Sequence, residues 1–107
     1  MLKLSIIIKE VKMGRTPIHP GEILKDELSE LNISASELAR ALKIPPNRIT
    51  QILAGKRAVT ADTALRLGKW FGTGPQIWLN LQQTYDLDIA TKQISNDLKR
   101  IKAREAA

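Results

Sequence analysis

The sequence predicts an all-α domain of five short helices, followed by a helical tail and preceded by a short extension. Three observations carry this. Apolar residues recur at helical spacing along most of the chain, the period of a helix face turned toward a core. Starts are marked by Pro20, Ser34, Pro46, Thr60 and Pro75, and stops by Asn32, Gly55 and Gly72. Between residues 34 and 57, SASELARALKIPPNRITQILAGKR places two short helical patterns either side of a tight turn.

Taken in order, residues 1–14 form an extension. Its β-branched run, MLKLSIIIKEVKM, fits either a strand that pairs outside this domain or a loose start, with Met13 as an alternative first residue. The domain proper is expected at 15–89. Pro20 sits at the first position of helix one, where its missing N–H costs nothing, and Leu24, Leu28 and Leu31 form that helix's inner stripe. Its outer face carries Glu22, Asp26, Glu27 and Glu30, and Asn32 ends it. Ser34 and Glu37 form a capping box for helix two, whose stripe is Leu38, Ala39 and Leu42. Lys43, Ile44 and Pro45 make the turn, with Ile44 buried between the helices. Pro46 opens helix three, which buries Ile49, Ile52 and Leu53, and a left-handed Gly55 stops it.

Thr60 is the expected cap of helix four, in which Ala64, Leu67, Gly68 and Phe71 share one face and Gly68 permits close helix packing. Gly72, Thr73 and Gly74 break the pattern before Pro75 opens helix five, with Ile77, Trp78, Leu81 and Tyr85 at helical spacing. From Asp86 onward the pattern loosens. Ile94, Leu98 and Ile101 predict one further amphipathic helix within a basic tail at 90–107.

Charge distribution points to a polyanion. The chain holds 17 basic and 11 acidic residues, a formal charge of +6. Between Glu37 and Asp62 stand Arg40, Lys43, Arg48, Lys56 and Arg57 with no acid among them. A helix pair this short, with a basic surface, is suited to laying its second helix in a DNA major groove. The outward side chains of that helix are Pro46, Asn47, Arg48, Thr50 and Gln51. Asn and Gln bond bidentately to adenine and Arg to guanine, so Gln51 and Asn47 lead as base readers, with Arg48 on guanine or phosphate. Arg40, Lys56 and Arg57, together with Ser34 and Ser36 at the start of helix two, are assigned to phosphate.

Other chemistries find little support. No cysteine is present, so there is no disulfide or thiolate metal site, and a reducing, cytoplasmic setting fits. The apolar run Ile6–Ile8 is too short to span a membrane. Gly55-Lys56 lacks the first glycine and the Ser/Thr of a phosphate-binding loop. His19 is the sole histidine and reads as a cap or packing residue rather than a metal ligand, and Asp86 and Asp88 read as solvated charges. No catalytic arrangement, cofactor site or metal site is expected.

HPGEIL at 19–24, ITQILAGKR at 49–57, TADTALRL at 60–67 and PQIWLNLQ at 75–82, ahead of YDL at 85–87, resemble the HigA-type antitoxins. These are phage-repressor-like helix-turn-helix proteins, and the likeness covers residues 15–88. It implies a homodimer that binds a palindromic operator, represses its own operon and neutralises a HigB-like ribonuclease toxin. It also implies that positions 46, 47 and 51 lie nearest the bases. One departure stands out: Pro45 and Pro46 occupy positions where such proteins usually carry Ser, Thr or Gln. Prolines offer no side-chain cap and no donor, although a ring can pack on a thymine methyl. Two alternatives stand beside the antitoxin reading: a repressor that shares the DNA mechanism but has no toxin partner and, on account of the two prolines, an interaction module that no longer reads DNA.

Half-sites lie about 34 Å apart, so a second copy is expected. Trp78, Leu81, Tyr85, Ile94 and Leu98 are the candidates for the dimer contact, although Trp78 also reads as core. The tail cations Lys99, Arg100, Lys102 and Arg104 either add DNA affinity or form a solvated face. Toxin contacts are sought on the acidic face of helix one and on residues 1–13.

Overall fold

A computed structural model of the chain describes residues 17–105, so the expectations for the extension at 1–14 lie outside the described residues. Within that range lie six helices: α1 Pro20–Leu31, α2 Ala35–Leu42, α3 Pro46–Leu53, α4 Ala61–Phe71, α5 Gln76–Gln93 and α6 Ser95–Arg100. The all-α expectation is met, with α6 lying in the tail.

The start of α1 follows from the HPGE segment residue by residue. His19 is the N-cap. Its Nδ1 accepts from the Gly21 N–H at 2.9 Å, and Glu22 Oε2 accepts from the His19 N–H at 3.2 Å. This is a capping box with an imidazole in the place of the usual hydroxyl. Gly21 answers a different need. A Cβ there would stand 1.8 Å from the Ile52 carbonyl oxygen, so the first turn of α1 lies against the end of α3. Ile23, Leu24 and Leu28 are buried, but Leu31 is 46% exposed and drops out of the expected stripe. Glu27 is buried as well, which narrows the expected acidic face.

α2 and α3 form the predicted helix-turn-helix. The Ser34 hydroxyl accepts from the Glu37 N–H at 3.1 Å, and the Glu37 carboxylate accepts from the Ser34 N–H at 3.1 Å. Lys43 turns left-handed at φ 62°, letting the buried Ile44 donate its N–H to the Ala39 carbonyl at 3.0 Å. α3 closes on the expected left-handed glycine, Gly55, at φ 73°. There the Lys56 N–H reaches the Gln51 carbonyl at 2.9 Å and the Gly55 N–H reaches Ile52 at 3.0 Å, the paired bonds of a Schellman ending.

Several details of the second half differ from expectation. Thr60 does hold the N-cap position of α4, but its hydroxyl makes no cap bond and lies 3.5 Å from the Thr63 hydroxyl. Gly68 does permit a close approach, though of loop rather than helix: a Cβ would stand 2.2 Å from the Gly74 carbonyl carbon. α5 then runs unbroken across residue 90, where the tail was expected to begin. The loosened pattern after Asp86 marks where the helix leaves the body, since residues 90–105 are all exposed. Ile94 and Ile101 flank α6 instead of lying within it.

The core gathers Leu24 and Leu28 of α1, Leu38 and Leu42 of α2, Ile49 and Ile52 of α3, Leu67 of α4, and Trp78 and Leu81 of α5. Phe71 lies against Trp78 at 5.4 Å between ring centroids. α3 is held by α2 on one side and α1 on another, while α4 bridges α2 and α5. One surface of α3 is thereby fixed and the other left open.

Candidate nucleic-acid interface

Helix α3 divides as its periodicity demands. Ile49 and Ile52 are fully buried and Leu53 is half-buried, which leaves Pro46, Asn47, Thr50 and Gln51 exposed on the other side. Pro45 takes the N-cap position with extended φ −63° and ψ 142°, and no side chain caps the helix. The helix start therefore presents backbone rather than side-chain polarity to whatever approaches it.

Hydrogen bonds sort the expected base readers. Asn47 is exposed. The Thr50 hydroxyl is turned back to the Asn47 carbonyl at 3.2 Å. Gln51 accepts from the Arg57 guanidinium at 3.2 Å, so the loop after α3 steadies the leading reader. Arg48 is half-buried and bonded to Asp62 at 2.6 Å. The same carboxylate receives Arg66 at 2.7 Å, and these two guanidiniums hold the Asp62 carboxyl below the usual carboxylate range. The basic run is thus compensated at its end by Asp62, and Arg48 enters the site already paired. Arg66 also donates to the Leu42 carbonyl at 2.7 Å, tying α4 to the end of α2.

Among the expected phosphate residues, Arg40, Lys56, Arg57 and Ser36 are exposed. The Ser34 hydroxyl is occupied by its cap bond. The loop bearing Lys56 and Arg57 has a polar floor that sequence reasoning missed. Gln82 of α5 is buried, and its Oε1 accepts from the Val59 N–H at 2.7 Å. Its Nε2 donates to Asp86 at 2.9 Å. His19 completes the floor, edge-on to Tyr85 at 5.0 Å. Burial lowers the pKa of His19, opposed by the charges of Asp86 and Glu22 and by a hydrogen bond with the Arg57 backbone. The available signal was the Gln that ends WLNLQ, a polar residue on the face of Trp78 and Leu81.

The dimer-contact expectation needs correction at two residues. Trp78 and Leu81 lie inside the monomer at 0% and 2% exposure and have no surface to offer. Tyr85 is half-buried, with the His19 ring edge-on to it at 5.0 Å. Ile94 and Leu98 are exposed, as are Leu87 and Ile101. Among the described residues no cluster of His, Asp and Glu could hold a metal ion, and no helix is long and apolar enough to cross a membrane.

A two-helix unit with one open polar face and cations on the loop behind it defines the class of helix-turn-helix regulators. The helix-turn-helix family model matches residues 24–78. The virulence-associated protein I of Dichelobacter nodosus is 53% identical over 74 residues, 68% of each chain. A HigA-family addiction module antidote protein from Coxiella burnetii superposes with a TM-score of 0.82 at 51% identity, covering 85% of this chain and 100% of that one. The Pseudomonas aeruginosa antitoxin HigA, solved with the higBA promoter, superposes with a TM-score of 0.80 at 41% identity, covering 85% and 100%. The chain belongs to the HigA family of helix-turn-helix antitoxins.

Proposed function

We propose that this antitoxin binds a palindromic operator as a homodimer, represses its own operon and neutralises a HigB-like ribonuclease toxin. The observation that carries the DNA step is the open face of α3. Asn47 and Gln51 stand exposed on it while Ile49 and Ile52 lock the opposite side into the core. A rigid helix that offers amide side chains outward is suited to bidentate bonds with adenine in the major groove. Arg40, Lys56 and Arg57 supply the phosphate contacts that set its register. Thr50 and Arg48 take lesser parts, because one is bonded to its own helix and the other to Asp62.

Dimerisation rests on the exposed apolar residues Leu87, Ile94, Leu98 and Ile101 at the end of the chain that stands clear of the core. A second copy related by a two-fold axis buries the same patch from both sides. For the toxin, Asp26 lies exposed on the outer side of α1, Glu22 is exposed but serves its capping box, and Glu27 is buried. The acidic surface offered to a basic ribonuclease is therefore smaller than the sequence implied.

The test pairs two substitutions on one operator duplex, taken from upstream of the gene, and one scrambled duplex. Gln51→Ala is expected to lower discrimination between them by about 1–3 kcal/mol, the worth of a bidentate pair. Lys56→Ala is expected to weaken both alike and to make the salt dependence shallower by about one phosphate contact. Equal effects of the two substitutions on discrimination would refute the assignment.

A further inference from the structure

We propose that Gln82 is a positioning residue for DNA binding: from within α5, its amide holds the backbone of the loop between α3 and α4 and so sets where Lys56 and Arg57 meet the phosphates. The inference rests on the operator-binding reading above and adds to it a residue far from the recognition helix in sequence.

Loop 54–60 has little of its own to hold it. Its first residues are fastened to the end of α3 through the Gly55 and Lys56 N–H groups. The Ala64 N–H fastens its far end to the Thr60 carbonyl at 2.8 Å. Between these points the Val59 N–H is bonded to Gln82 Oε1, across 23 residues of chain, at 2.7 Å. The amide has one usable orientation. Its Nε2 donates to Asp86 at 2.9 Å, so the oxygen is left facing Val59. A flipped amide would set two N–H groups against each other at Val59 and two oxygens against each other at Asp86.

The connection reaches the DNA-facing groups in two steps. Val59 is buried at 3% exposure, so its backbone is a fixed point, and Lys56 and Arg57 lie three and two residues before it. Arg57 in turn donates to Gln51 on α3 at 3.2 Å. His19 supports the same loop from the α1 side, through the Arg57 backbone and its ring beside Gly55. Gln82 is thus the α5 end of a path that runs by hydrogen bond to Val59, along the backbone to Arg57, and by hydrogen bond to Gln51. Removing its amide releases the loop backbone at Val59 while every side chain on the open face of α3 is kept.

The experiment measures salt-dependent binding of the full chain to a fluorescein-labelled duplex from upstream of its own gene. Gln82→Leu keeps bulk and removes both hydrogen bonds. Binding at moderate salt is expected to fall about threefold to tenfold, with the log–log salt slope shallower by about 0.9 to 1.8, the value of one or two lost phosphate contacts. The double variant Gln82→Glu with Asp86→Asn exchanges donor and acceptor at unchanged net charge, and it is expected to restore the wild-type slope. A destabilised core that kept its loop in place would lower thermal stability and leave the slope alone. Should Gln82→Leu fail to fold, Gln82→Asn, one methylene shorter, is read in its place and is expected to shift the slope in the same direction. An unchanged slope in the folded variant, or a folded double variant that does not recover, would overturn the inference. A wild-type protein that ignores this duplex would instead overturn the operator-binding reading.

Discussion

Helices α1 and α3 meet at the Gly21–Ile52 contact, yet their first turns are built in opposite ways. α1 begins inside the protein. His19 is 6% exposed, its imidazole and the Glu22 carboxylate satisfy backbone donors, and Gly21 allows a backbone approach that no side chain would permit. α3 begins in solvent with Pro45 and Pro46 and no side-chain cap. Each arrangement is sound for its place. A buried helix end leaves no donor unpaired, because an unpaired buried group costs about 1–3 kcal/mol. An exposed end can leave its donors to water, and to a phosphate when DNA arrives. Local satisfaction is complete at the buried start of α1 and is left to solvent at the exposed start of α3.

The largest expected effect comes from breaking the buried side of this contrast. Gly21→Ala sets a methyl against the Ile52 carbonyl and is expected to cost about 3 kcal/mol, at the upper end for overpacking. Urea unfolding measures it; a loss below about 1 kcal/mol would mean that α1 and α3 part easily, against the close contact described.

His19 sharpens the same side. Its pKa is lowered by burial, so the unfolded chain takes up a proton at higher pH than the folded one. The stability contributed by the neutral cap is complete above its ordinary value, about 6.5, and is lost as pH falls through the lower folded value. The reason is chemical, since an imidazolium cannot accept the Gly21 N–H. His19→Asn supplies a cap that does not titrate. Wild-type stability is expected to fall relative to this variant between about pH 7 and pH 5, where histidine charges. Parallel stability curves for the two proteins would refute it.

The smallest effect belongs to the exposed side. Pro45→Ser introduces a hydroxyl cap worth about 1 kcal/mol. It also relaxes the unfolded chain, which removes about 0.4–1 kcal/mol. Net stability is expected to stay within about 0.5 kcal/mol of wild type by urea titration, the difference of those two terms. A clear gain would show that the proline start carries a stability penalty.

The sequence made α1, the capping box of α2 and the glycine stop of α3 legible because each is written within a few neighbouring residues. Periodicity also separated Ile49 and Ile52 from Asn47 and Gln51. What escaped is of two kinds. Arg48–Asp62, Arg66–Leu42 and Gln82–Val59 join residues 14, 24 and 23 positions apart, through single polar atoms that leave no periodic trace. The other kind is α5, whose helix continues to Gln93 although its apolar pattern fades after Asp86. An apolar stripe records contact with a core, and a helix that stands clear of its own core has none to record. Trp78 and Leu81 failed as interface residues for the converse reason: a strong stripe meant burial within the monomer.

The two tryptophans occupy opposite environments. Trp78 is wholly enclosed, while Trp70 is 37% exposed in an open groove with Leu65 and Lys69. The protein therefore carries two intrinsic fluorophores with separate audiences. A soluble quencher such as iodide reaches Trp70 and leaves Trp78 shielded, so the quenchable emission reports on the surface of α4. The shielded, shorter-wavelength emission reports on whether the core is intact. One sample can then distinguish occupancy of that groove from loss of the fold, without an added label.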